Sequence, residues 1–76
     1  MDKHGQEEAL RRFGRRLTYL RVLHNLSIAE LGARSGIDPQ EIEQIEAGEI
    51  NFRIVPIING LAQGLGIPPG ELLQDM

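Results

Sequence analysis

The sequence predicts an all-α domain of five helices, and three observations predict it. Apolar residues recur at three- and four-residue steps rather than alternating. Helix-start signatures stand at Ser27 and Asp38, answered by glycine stops at Gly36 and Gly48. No stretch combines β-branched and aromatic residues in the period-two pattern of a strand. With 76 residues the chain is one small domain. Such a domain buries only about 60% of its unfolded surface, so single contacts carry weight.

The elements follow in order. Residues 1–6 read as a polar tail and 7–76 as the domain, with no repeat or linker. Helix 1 is expected from about Gln6 to His24, where Leu10, Phe13, Leu17 and Leu20 make one apolar stripe and Asn25 supplies a left-handed stop. Helix 2 is expected over Ile28–Arg34. Its start, Ser27-Ile28-Ala29-Glu30, is a capping box in which the serine hydroxyl accepts an amide and the glutamate reaches back to the serine N–H. Gly36 then ends it by taking positive φ.

Helix 3 is expected over Pro39–Ala47. Asp38 is its cap, Pro39 sits where a missing N–H is harmless, and Glu41 reads as the back half of a second capping box. Helix 4, near Ile54–Leu65, carries Ile54, Ile57, Ile58, Leu61 and Leu65 at helical spacing. Gly60 and Gly64 each weaken it by about 1 kcal/mol relative to alanine. Gly66 stops it, and Pro69 starts a last short helix through Leu73.

Composition excludes several functions. Without cysteine there are no disulfides or thiolate metal sites, and two histidines, His4 and His24, are too few for a zinc cluster. No apolar run approaches the roughly 20 residues of a membrane helix and no signal-peptide core is present, so a soluble cytoplasmic protein is expected. No Ser/His/Asp, Cys/His or phosphate-loop constellation suggests catalysis, and no cofactor, metal or small-molecule ligand is expected.

Charge is divided unevenly. Residues 1–34 hold seven basic residues against four acids, a net +3, whereas residues 35–76 hold Arg53 against seven acids, a net −6. Phosphate affinity follows local cations and oriented amides rather than the whole-chain sum. The acidic second half still predicts weak non-specific binding to nucleic acid and a shallow salt dependence.

Two short helices joined by a glycine turn, over residues 28–47, form the arrangement that sets one helix into the major groove of DNA. Phe13-Gly14-Arg15-Arg16-Leu17, Leu20-Arg21, Leu26-Ser27, Glu30-Leu31 and Ser35-Gly36-Ile37 resemble the Cro/CI-type (xenobiotic-response-element) helix-turn-helix family. The resemblance continues through Ile42-Glu43-Gln44-Ile45-Glu46-Ala47-Gly48, Leu65-Gly66-Ile67 and Glu71-Leu72-Leu73. It covers about four fifths of the chain. It implies a compact five-helix lambda-repressor-like domain and a transcriptional regulator, in the manner of phage repressors and restriction–modification controllers. The partners it implies are double-stranded DNA and a second copy of the chain on a palindromic operator.

The site residues follow from helix geometry and that resemblance together. At 100° per residue Gln40 and Gln44 share the side of helix 3 opposite Ile42 and Ile45. The resemblance assigns that side to base readout, where glutamine can pair adenine N6 and N7. Glu43 at its edge either repels phosphate or accepts from cytosine N4. The first amides of helix 2, at Ser27, Ile28 and Ala29, offer a phosphate seat, without the glutamine side chain many relatives carry at position 28. Asn51 and Arg53 are expected donors from the following loop. The resemblance also pairs Arg21 with Glu46 as a structural ion pair. Leu65, Ile67, Leu72, Leu73 and Met76 are the expected dimer surface, unless they only cap the core. Tyr19, Val22 and Leu23 lie off the helix 1 stripe, either as a patch for a protein partner or as a core extension. The patch supports an alternative function, an antitoxin or adaptor acting mainly through protein contact.

Overall fold

The computed structural model describes residues 3–49 and 55–74, and within them the side chains of 7–49 and 57–74. The described residues form five α-helices and no strand: α1 Lys3–Leu23, α2 Ile28–Ser35, α3 Pro39–Glu46, α4 Val55–Leu65 and α5 Pro69–Leu72. Helix α1 begins three residues before the expected Gln6, because its first turn bears no apolar residue for a periodicity to register. The other bounds differ from expectation by about one residue, with Ala47 and Leu73 becoming caps.

Helix ends repeat one device. Asn25 (φ 58°), Gly48 (φ 74°) and Gly66 (φ 73°) turn left-handed. The next amide then bonds back across the turn: Leu26 N–H to the Arg21 carbonyl, Glu49 to Gln44, and Ile67 to Ala62, at 2.9–3.0 Å. These bonds satisfy carbonyls that a helix end otherwise leaves unpaired.

The core joins Phe13, Leu17 and Leu20 of α1 to Leu31 of α2, Ile42 and Ile45 of α3, Leu61, Ala62 and Leu65 of α4, and Leu72 of α5. Leu65 (3% exposed) and Leu72 (fully buried) are therefore core residues, which corrects their assignment to a dimer surface. They occupy the inward positions of α4 and α5; Ile67 is half-buried and packs against the same core, and Leu73 (36% exposed) is left facing outward. Met76 lies outside the described residues.

Two close approaches set the packing. Helix α3 packs chiefly on α1, and α2 on α4. At the first crossing a Cβ on Gly14 would overlap the Glu46 carbonyl oxygen and stand 2.6 Å from that of Ile45. At the second, a Cβ on Gly60 would stand 3.1 Å from the Ser35 carbonyl oxygen, and one on Gly64 would stand 3.0 Å from Leu31 and 3.1 Å from the Ser35 amide. The two glycines thus form a smooth face on which α2 lies, and α4 is unbroken through Gly60. Glycine weakens an isolated helix, but here it permits a contact a side chain would block.

Arg16 fastens the short last helix. Its guanidinium donates to the Glu71 carbonyl (3.2 Å) and to Gln74 Oε1 (3.1 Å). A four-residue helix cannot hold itself, so this tie and the buried Leu72 keep α5 in place.

Candidate nucleic-acid interface

The α2–α3 pair is built from local signals. Ser27 Oγ accepts from the Glu30 amide at 3.0 Å, and the Glu30 carboxylate accepts from the Ser27 amide at 2.8 Å, a complete capping box. These bonds hold the Glu30 carboxyl below its ordinary pKa, the backbone bond from Ser27 foremost. The Ser27 amide is therefore spent on Glu30, which narrows the expected phosphate seat to the amides of Ile28 and Ala29. Gly36 (φ 75°) then reverses the chain toward α3, donating to the Gly32 carbonyl at 2.9 Å.

Helix α3 starts differently from expectation. Asp38 Oδ1 accepts from the Gln40 amide at 2.8 Å, one residue earlier than a capping box requires. Glu41 makes no return bond to Asp38, so its expected role as the back half of that box does not hold. Asp38 is already turned onto the nearer amide, and the cap is complete without Glu41.

Asp38, Gln40, Glu41 and Gln44 line one open depression of about 380 Å³ at the start of α3. Gln40 is exposed and Gln44 and Glu41 half-buried, so both glutamine amides and two carboxylates, those of Asp38 and Glu41, border the same hollow. Glu43 is exposed and is not part of its lining. Residues 39–46 contain three glutamates and no cation. Asn51 and Arg53, the expected loop donors, lie outside the described residues.

Behind this face, Arg21 holds α3 down. Its Nε donates to Glu46 Oε2 at 2.7 Å and its Nη2 to Glu46 Oε1 at 3.1 Å, a two-pronged pair with side chains only 15% and 9% exposed. Nη1 donates to the Leu26 carbonyl at 2.9 Å, so one guanidinium joins α1, the α1–α2 turn and the end of α3. The bond to Glu46 pushes the Arg21 pKa up and keeps it charged. Among the described residues no group of three His, Asp or Glu side chains could hold a metal ion, and no helix is long and apolar enough to cross a membrane.

On the outer side of α1, Tyr19, Val22 and Leu23 are 57–59% exposed, which rules out the core-extension reading. Their spacing puts them on one face of the helix, with the Arg16 guanidinium 5.8 Å from the Tyr19 ring centre. Sequence reasoning missed the tie from Arg16 to α5, and it assigned Glu41, on the flank of the Gln40 and Gln44 face, to the helix cap rather than to the hollow. The tie spans 55 residues and has no sequence signal, whereas Glu41 is one turn from Gln44 and its place was readable from helical spacing.

Comparison with known proteins places this geometry. No curated protein matches the chain significantly. The crystal structure of the restriction-modification controller protein C.AhdI from Aeromonas hydrophila superposes with a TM-score of 0.79 and 38% identity. That alignment covers 83% of this chain and 94% of that one. The helix-turn-helix domain family matches residues 12–75. The chain belongs to that helix-turn-helix family, in keeping with the Cro/CI-type resemblance of its motifs.

Proposed function

We propose that this protein is a DNA-binding transcriptional regulator of the controller type, a dimer that reads a palindromic operator with α3 in the major groove. The observation that carries the reading is the joint placement of Gln40 and Gln44 on one open hollow at the start of α3. Their amides lie one turn apart, and each can both donate to and accept from an adenine edge. Phosphate contact falls to the Ile28 and Ala29 amides, with Asn51 and Arg53 as side-chain donors. A twofold contact through Ile67, Leu73 and Met76 sets two half-sites about one helical turn apart. Selection of bound sequences from random duplex DNA tests this, repeated with Gln40→Ala/Gln44→Ala protein. The expected result is a palindromic motif that degenerates in the double variant while circular dichroism still reports a folded protein. No enrichment even at low salt would remove the reading.

The exposed Tyr19, Val22 and Leu23 face supports a second reading, an antitoxin or adaptor that works by protein contact. Tight, salt-insensitive capture of a co-encoded protein, lost on Val22→Ser/Leu23→Ser, would favour it over operator binding.

A further inference from the structure

We infer that Glu41 is the specificity carboxylate of the α3 face, accepting a hydrogen bond from the exocyclic amine of a cytosine in the major groove. This rests on the DNA-binding reading above and deepens it.

Glu41 borders the same hollow as Asp38, Gln40 and Gln44, where Asp38 is already engaged by the Gln40 amide, whereas Glu43, the carboxylate expected there from the sequence, does not border it. It is half-buried, while Glu43 is exposed. It also has no hydrogen bond or ion pair to any described residue, because Asp38 caps the helix through the Gln40 amide alone. Its carboxylate therefore keeps its acceptor positions free of protein donors, open to a donor that a ligand brings into the hollow.

The donor can be specified. An ionised carboxylate only accepts. In the major groove cytosine presents only a donor, its N4 amine, guanine presents only the acceptors N7 and O6, and thymine presents the acceptor O4. Adenine offers one of each and suits the flanking glutamine amides better. Glu41 therefore selects cytosine and opposes guanine and thymine at one position of each half-site. The same charge repels phosphate, so it also lowers affinity for unrelated DNA.

The test is enrichment from random duplex DNA with full-length wild type, E41Q and E41A, each checked for folding by circular dichroism. The wild-type motif should contain one strongly preferred cytosine per half-site. E41Q should move that position toward adenine, and E41A should leave it unselective, with discrimination against guanine falling by about 10-fold or more. Positions that depend on Gln40 and Gln44 should keep their preference in both variants. A wild-type motif without such a cytosine, or one unchanged in E41Q, overturns the inference while leaving the regulator reading intact. A wild type that enriches nothing overturns both.

Discussion

The backbone of Gly14 lies directly against the last turn of α3, so close that a methyl group there would overlap the Glu46 carbonyl oxygen. Two turns further along the same face of α1, Arg21 takes hold of the Glu46 side chain. Main chain and side chain of a single residue are thus both engaged by α1.

Gly14→Ala should be among the most damaging single-methyl additions in the protein. The obstacles are two backbone carbonyls, which cannot rotate aside as a side chain can. Overpacking of this kind costs about 3 kcal/mol or more, out of the roughly 4–11 kcal/mol available to a 76-residue domain. Thermal unfolding of the variant should show a large loss in Tm or no cooperative transition.

Arg21→Ala should destabilise by about 3–5 kcal/mol, because the nearly buried Glu46 carboxylate is left without its partner. Replacing both partners with apolar residues, Arg21→Met/Glu46→Leu, should be clearly milder than the single change. A urea-denaturation comparison decides this, and a double variant as unstable as the single one would show that the ion pair is not the source of the loss.

Gly64→Ala sets helix propensity against packing. Alanine adds about 1 kcal/mol to an isolated helix, but its methyl meets Leu31, the Ser35 Cβ and the Ser35 amide at 3.0–3.1 Å. With backbone among the obstacles, packing should win, and chemical denaturation should report a net loss of about 1 kcal/mol. An increase in stability would mean that α2 can move off α4.

The Ser27–Glu30 box carries a pH dependence of known sign. The folded-state pKa of Glu30 is lowered by its bonds to Ser27. Its contribution is therefore fully present above the ordinary glutamate value and lost as pH falls below it, through the lowered value. Wild type should exceed Glu30→Gln in Tm at neutral pH, and the difference should close in acid. A difference that persists unchanged in strong acid would assign the effect to something other than the carboxylate charge.

Much of the fold was legible because it depends on near neighbours. The stripe of Phe13, Leu17 and Leu20, the Ser27 box, and the stops at Asn25, Gly36, Gly48 and Gly66 each involve residues within a turn or so of one another. What could not be read depends on distant partners. Gly60 and Gly64 register as weak points until Ser35 and Leu31 stand opposite them. Arg16 is one of several arginines on α1 until Glu71 and Gln74 arrive 55 and 58 residues later. Leu65 and Leu72 belong to an apolar segment whose inward and outward members only the packing of α5 separates. At the candidate site, spacing put Gln40, Gln44 and the flanking Glu41 within reach of one another, but whether Glu41 was tied up in the cap depended on which amide Asp38 takes.

The division of labour among the helices has a further consequence. Helix α2 leans on α4, and α3 on α1, so the two halves of the helix-turn-helix are braced by different supports. The tilt of one relative to the other is set from behind, at Gly14 and Arg21 on one side and at Gly60 and Gly64 on the other. Small volume changes at those hidden crossings would swivel α3 without altering a residue on its outer face. In the proposed regulator, operator preference would therefore drift through the scaffold as well as through the side chains of α3.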